Sequence, residues 1–162
     1  MTAIITGSFD PITLGHENLI RRASAMFDTV YIAVCGNSSK VGCFTPDERL
    51  ALVKAACDEM HLDNLRPICS EGLLADTCKE LGATVIVRGV RCVTDFDYET
   101  SLSRINSTLN PGLETILLIC DPNLSHISSN VVREMIRYHR DLHPFVSSAV
   151  ADQIEQILAS RG

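Results

Sequence analysis

An α/β domain is the architecture this sequence predicts: one doubly wound, parallel, five-stranded sheet with helices on both faces. Three observations predict it. Short apolar runs of strand length recur along the 162 residues, and helical stretches alternate with them. The runs are continuously apolar instead of alternating, as in strands buried on both faces of a parallel sheet. The content of 46% hydrophobic and 21% charged residues suits one globular domain over 1–162 with a sizeable core. No internal repeat, linker or low-complexity segment divides it.

The first strand is Ala3-Ile4-Ile5, too short for a helix and rich in β-branched residues. Gly7 ends it, Asp10-Pro11 signals a turn, and helical spacing begins near Gly15 with Leu19, Ile20, Ala23, Met26 and Phe27. The second strand is Val30 to Cys35, followed by a polar loop from Asn37 to Gly42. The next helix starts at Thr45-Pro46-Asp47-Glu48: Thr45 is the N-cap, Pro46 the first helical residue, and Glu48 completes a capping box. Leu50, Val53, Ala56 and Cys57 continue its apolar stripe. Leu65 to Cys69 is a weaker strand, and Pro67 places it at a sheet edge. Leu73 to Leu81 reads as a helix ended by Gly82. Thr84 to Val87 is the fourth strand and runs straight into Arg88-Gly89-Val90-Arg91. A helix from Asp95 to about Leu109 stops at Asn110-Pro111-Gly112. Thr115 to Cys120 is the fifth strand. Ser128-Ser129-Asn130 precedes a helix around Val131 to Tyr138, and a last amphipathic helix carries Val146, Val150, Ile154, Ile157 and Leu158.

Composition narrows the function. No apolar run approaches the roughly 20 residues that span a bilayer, so no membrane partner is expected. The N-terminus lacks the basic and long apolar regions of an export signal, which makes the cytoplasm the expected compartment. The net charge of −6 argues against nucleic acid, whose binders show a basic excess or stripe. The seven cysteines form no C-x-x-C pair and have no metal-ligand spacing, so they read as buried, reduced thiols.

The polar residues that stand out all follow strand ends, where parallel sheets bind ligands. Ser8 and His16 follow the first strand, Lys40 the second, Arg88 and Arg91 the fourth, and Ser128 and Ser129 the fifth. Gly7 to His16 links a strand to a helix start, whose free N–H groups and partial positive charge attract phosphate. It is neither G-x-G-x-x-G nor G-x-x-x-x-G-K-[ST]. Each residue also has a plain structural reading. A loop lysine is commonly solvated surface, Ser128 and Ser129 could simply cap a helix, and Arg88 and Arg91 could pair with Asp95, Asp97 or Glu99. Their shared placement at one sheet edge favours a binding site for a small anion.

Four segments carry a family resemblance. Gly7-Ser8-Phe9-Asp10-Pro11-Ile12-Thr13-Leu14-Gly15-His16 resembles the T-x-G-H form of the H-x-G-H signature of nucleotidyltransferases. Arg88-Gly89-Val90-Arg91-Cys92-Val93-Thr94-Asp95-Phe96-Asp97-Tyr98-Glu99 resembles the R-G-[LIV]-R-x-x-x-D-F-x-Y-E block of bacterial phosphopantetheine adenylyltransferases. Lys40 with Phe44-Thr45-Pro46-Asp47-Glu48-Arg49, and Ile127-Ser128-Ser129-Asn130-Val131-Val132-Arg133-Glu134, resemble two further blocks of that family. The first motif is shared with other nucleotidyltransferases; the second is more specific.

The resemblance implies a Rossmann-like fold and transfer of the adenylyl group of ATP to 4′-phosphopantetheine, giving dephospho-coenzyme A and pyrophosphate. It also implies Mg²⁺ as cofactor, a homohexamer, and feedback inhibition by coenzyme A. By motif position, Ser8, Phe9, His16, Gly89, Val90, Arg91, Glu99, Leu124, Ser125, His126, Ile127, Ser128, Ser129 and Asn130 would contact ATP. Ser8, Lys40, Leu74 and Arg88 would contact phosphopantetheine, and His16, Lys40 and Arg91 would be catalytic. No protein ligand for the metal is implied. Ser8 stands where many members have Thr, and Asn130 where they have Ser or Thr. The other readings are a different nucleotidyltransferase sharing the first motif, or a nucleotide-binding regulatory domain without catalysis.

Overall fold

The computed structural model describes residues 1–36 and 42–161. Its strands are β1 (Thr2–Gly7), β2 (Thr29–Cys35), β3 (Leu65–Ser70), β4 (Val85–Val90) and β5 (Glu114–Ile119), all parallel, in the order β3-β2-β1-β4-β5. The helices α1 (Leu14–Ser24), α2 (Pro46–Met60), α3 (Leu74–Leu81) and α4 (Val93–Leu109) connect successive strands, and α5 (Ser129–Arg137) and α6 (Ser148–Ser160) follow the sheet. The predicted α/β fold is the observed one.

Strand alternation separates two cores. Ala3, Ile5, Val30, Ile32, Val34, Val85 and Val87 point to the face covered by α1, α2 and α6, where Ile20, Leu52, Val53, Ala56, Val150 and Ile154 are buried. Ile4, Ala33 and Ile86 point to the other face and pack with Cys78 of α3. Each central strand therefore buries both faces, which is why its sequence is continuously apolar. Pro67 sits in the edge strand β3, where its missing N–H costs no ladder bond.

The N-cap and capping box of α2 are formed as predicted, with the Glu48 N–H donating to Thr45 Oγ1 at 3.3 Å and the Thr45 N–H donating to Glu48 Oε2 at 2.7 Å. Other boundaries move. β4 runs on through Val90, so Arg88 lies within the strand instead of after it. α4 begins at Val93, ahead of Asp95, and α5 begins at Ser129 with Ser128 as its cap. β5 ends before Cys120 and is the second edge strand; both its end residues are exposed and the rest only half-buried. The cysteines are unpaired thiols, but only Cys57 and Cys78 are buried; Cys35, Cys43 and Cys120 are half-buried and Cys69 and Cys92 exposed, so the expectation of uniform burial fails. No helix among the described residues is long and apolar enough to cross a membrane.

Candidate active site

The strand order reverses between β1 and β4: chain connections lead outward through β2 and β3 on one side and through β5 on the other. At such a switch point the loops after neighbouring strands part and leave a crevice beyond the carboxyl ends. A cavity of about 430 Å³ lies there, walled by Ser8 and Phe9 after β1, His16 on α1, Arg88 and Gly89 of β4, Arg91 after it, and the start of α5. A second cavity of about 270 Å³ adjoins it, lined by Leu74, Arg88, Tyr98, Leu102 and Asn106. The two share Thr6, Gly7, Ser8, Arg88 and Glu99.

His16 is the third residue of α1 and reaches back to its N-cap. The Thr13 backbone N–H donates to His16 Nδ1 at 3.1 Å, and Thr13 Oγ1 lies 2.9 Å from the same nitrogen. A backbone N–H can only donate, so Nδ1 is the acceptor and Nε2 carries the proton. The ring meets Phe9 edge-on with centroids 5.2 Å apart. Burial, then the charges of Arg91 and Arg88, lower the His16 pKa to about 4. His16 is therefore a neutral imidazole with a fixed tautomer and one N–H to offer.

Arg88 is held by Glu99 through a two-bond fork. Its Nε donates to Oε2 at 2.7 Å and its Nη2 to Oε1 at 2.6 Å, while Nη1 donates to the Thr6 carbonyl at 2.5 Å. Glu99 is 6% exposed. Arg91 is more open. Its backbone N–H and its Nε donate to Asp95 Oδ2 at 3.1 and 3.2 Å. Burial opposes ionisation of Asp95, but these bonds from Arg91 prevail and hold its carboxyl below the usual range. The ion pairs entertained for Arg88 and Arg91 thus exist, and both guanidinium groups still line the larger cavity. Gly89 allows a close approach: a Cβ there would stand 3.2 Å from Cys120 Sγ, closer than an ordinary contact.

The start of α5 closes the far wall. Ser128 Oγ accepts from the Val131 N–H at 3.3 Å, and Ser129 Oγ donates to the Pro11 carbonyl at 2.8 Å. Arg133 donates to Asn130 Oδ1 and to the Asp10 carbonyl. Asp10 itself accepts from the N–H groups of Cys43 at 3.0 Å and Phe44 at 2.9 Å. One carboxylate thus ties together the loops after β1 and β2 and, through Arg133, α5.

Of the residues expected to contact ATP, the larger cavity gathers Ser8, Phe9, His16, Gly89, Arg91, Glu99, Leu124, Ile127, Ser128, Ser129 and Asn130. Val90 is buried away from it, and Ser125 and His126 lie exposed outside its wall. Ser8, Leu74 and Arg88, three of the residues expected to contact phosphopantetheine, line the smaller cavity. Lys40 lies outside the described residues. Sequence reasoning missed Asn18, Cys120 and Asp121 on the cavity wall. It also missed the role of Thr13 in orienting His16, although an N-cap three residues before a hydrogen-bonding side chain is the signal for it. Among the described residues, no three His, Cys, Asp or Glu side chains stand together as a metal site.

The cytidylyltransferase-like family model matches residues 4–135. Phosphopantetheine adenylyltransferases of Staphylococcus carnosus (strain TM300) and Staphylococcus haemolyticus (strain JCSC1435) are each 42% identical over 154 residues, covering 95% of this chain and 94% of theirs. The fold is similar to that of a nicotinic acid mononucleotide adenylyltransferase of Plasmodium falciparum complexed with NaAD. The TM-score is 0.69 at 18% identity, over 96% of this chain and 95% of the other.

Proposed function

This chain belongs to the cytidylyltransferase-like family and, within it, to the phosphopantetheine adenylyltransferases; it transfers the adenylyl group of ATP to 4′-phosphopantetheine, and we propose that it does so by one in-line displacement between its paired cavities. The observation that carries the proposal is the shared wall. Two adjoining cavities meet at Ser8 and Arg88, so two phosphorylated substrates entering from either side bring their phosphates together there. ATP occupies the larger cavity and the phosphopantetheine arm the smaller, beside Leu74.

The attacking group is already a phosphate anion, so the step needs no strong base. It needs two polyanions held in line and charge stabilised at the α-phosphorus. His16 Nε2–H is the donor for the α-phosphate, and its neutrality suits a role that neither takes nor gives a proton. Arg88, fixed by Glu99, and Lys40 hold the acceptor phosphate. Arg91 and the α5 start at Ser128 and Ser129 hold the pyrophosphate that leaves, where the helix N-terminus favours negative charge. Cys120 is the thiol on the ATP wall, and burial pushes its pKa up against the pull of Arg91, so it stays protonated and a poor nucleophile.

Mg²⁺ would enter as the companion of the ATP phosphates: among the described residues no three acidic, His or Cys side chains stand together to hold it, and on the cavity wall Glu99 is engaged by Arg88 and Asp95 by Arg91, which leaves Asp121. When bound, the ion neutralises phosphate charge.

Self-association is part of the proposal. α4 buries only Glu99 in this chain, and Val93, Phe96, Tyr98, Ile105 and Leu109 are exposed along it, with Ile119 at the end of β5 exposed as well. An apolar surface of this kind is one that a second copy covers, and the family resemblance supports a homohexamer as the assembly. Coenzyme A, built on the same phosphopantetheine arm, is the expected feedback ligand of the same cavities. An ATP-consuming reaction and unpaired thiols fit a cytoplasmic setting.

The test is formation of dephospho-coenzyme A from ATP and 4′-phosphopantetheine, using ATP made chiral at the α-phosphorus by sulfur substitution. Inversion, read by ³¹P NMR, is expected. Net retention would mean two displacements, with His16 the first suspect as nucleophile.

A further inference from the structure

Arg49, in the first turn of α2, is 6% exposed. No carboxylate pairs with it among the described residues. Its Nη1 donates to two carbonyls, that of Ser8 at 3.0 Å and that of Cys35 at 3.3 Å, and its Nε has no partner among the described residues. These carbonyls mark the carboxyl ends of β1 and β2, directly behind the crevice. Burying a cation without a counter-charge is costly, and two neutral acceptors offset only part of that cost.

The peptide that Arg49 grips is unusual. Phe9, the residue after Ser8, has φ of 45°, a left-handed conformation rare for an aromatic residue. In a trans peptide the C=O and the following N–H point in opposite directions. With the Ser8 carbonyl turned towards Arg49, the Phe9 N–H faces the other way. It has no acceptor among the described residues. Phe9 is 1% exposed, yet it lines the larger cavity together with Ser8.

We propose that Arg49 is a positioning residue: it holds the Ser8–Phe9 peptide in the orientation that turns the Phe9 N–H into a fixed donor for the transferring phosphate. Its un-neutralised charge adds positive potential behind that donor. The proposal rests on the reading of the crevice as a phosphate-transfer site.

The experiment uses the full chain labelled with ¹⁵N only at its five phenylalanines, with the Phe9 amide assigned by its loss in Phe9→Leu. ATP with a non-hydrolysable α,β-methylene bridge is the probe. The Phe9 amide proton of the wild-type protein is expected to move downfield on addition. In Arg49→Met that shift disappears and kcat falls about 10²-fold, with the KM for ATP within threefold. Arg49→Lys, which keeps the charge but not the planar guanidinium that places Nη1 between the two carbonyls, recovers part of kcat. An unmoved Phe9 amide in the saturated wild-type protein overturns the proposal, as does a folded Arg49→Met with kcat within threefold of wild type. Should Arg49→Met fail to fold, Arg49→Lys and the wild-type amide shift decide: wild-type kcat in Arg49→Lys together with an unmoved amide refutes it. A wild-type protein that shows the amide shift but forms no dephospho-coenzyme A would overturn the functional reading and leave the Arg49 clamp standing.

Discussion

Replacing His16 with alanine should separate chemistry from binding. The ring offers the cavity one N–H, from Nε2, because Nδ1 is occupied by the Thr13 N–H at 3.1 Å. Losing one preorganised donor to developing charge costs about 10²–10³ in kcat, or about 2.7–4 kcal/mol. The stability cost is smaller. The substitution removes the bond that returns from the third helical residue to the cap of α1, worth about 1 kcal/mol. In a chain of this size that lowers Tm by about 2–4 °C. Steady-state kinetics with each substrate varied in turn, beside a thermal melt, give both numbers. His16→Gln is the companion variant, since its amide can bring an N–H close to where Nε2 stood, and part of kcat should return. A folded His16→Ala with kcat within about threefold of wild type would remove His16 from the transition state and refute the reasoning.

Three further outcomes follow from the same geometry. The His16 ring resonances should show no transition near 6.5 and should titrate at about 4. Because this pKa is depressed, the unfolded chain takes up the proton first, and the His16 contribution to stability falls between pH 6.5 and 4, by at most about 3 kcal/mol; an NMR titration near 6.5 would contradict the buried, Arg-flanked environment. Glu99→Gln breaks the fork to Arg88, whose side chain is 24% exposed, so the loss should sit near the low end for a buried pair, about 3 kcal/mol; an unchanged melting temperature would show that the pair is not structural. Asn130→Ser should be tolerated, since Arg133 keeps its bond to the Asp10 carbonyl and Asn130 is exposed; calorimetry showing ATP affinity weakened by more than tenfold, about 1.4 kcal/mol, would mean that the loop is built around the amide.

The fold could be read from the sequence because burial on both faces leaves an unambiguous mark. Val30 to Cys35 and Val85 to Val87 have no polar face to present, and Pro67 betrays an edge. The same rule misled for β5. Thr115 to Ile119 is as apolar as a central strand, yet it ends the sheet with Ile119 exposed. An apolar run marks a strand, and it does not say how many neighbours that strand has. Within the site, Ser8, His16, Arg88 and Arg91 could be grouped from the sequence because they cluster near the carboxyl ends of β1 and β4, although each alone has a structural use, as the ion pairs of Arg88 and Arg91 show. Asp10 and Arg49 could not be. Their partners are backbone groups 33, 34 and 41 residues away in sequence, and main-chain donors and acceptors leave no trace in residue identity. Thr13 was half-seen: its place was clear, but a histidine at the third helical position lies outside the usual Glu or Gln pattern.

The adjacency of β1 and β4 has a consequence for how the chain comes to work. Thr6 and Arg88, joined across the crevice, are 82 residues apart in sequence. The β1-α1-β2-α2-β3 segment makes its strand pairs between neighbours in sequence and can collapse early at low loop-closure cost. It then presents β1 with one edge bare until residues 85–90 arrive. Arg88 and Arg91 are then still missing, and so is the start of α5, whose Ser129 and Arg133 hold the loop after β1 through the Pro11 and Asp10 carbonyls. Activity during refolding should therefore lag behind recovery of helical signal, and a nascent chain gains its catalytic edge only after β4 has been synthesised and has docked. Until that moment the strand at the centre of the enzyme is an open edge, the element most exposed to pairing with the wrong chain.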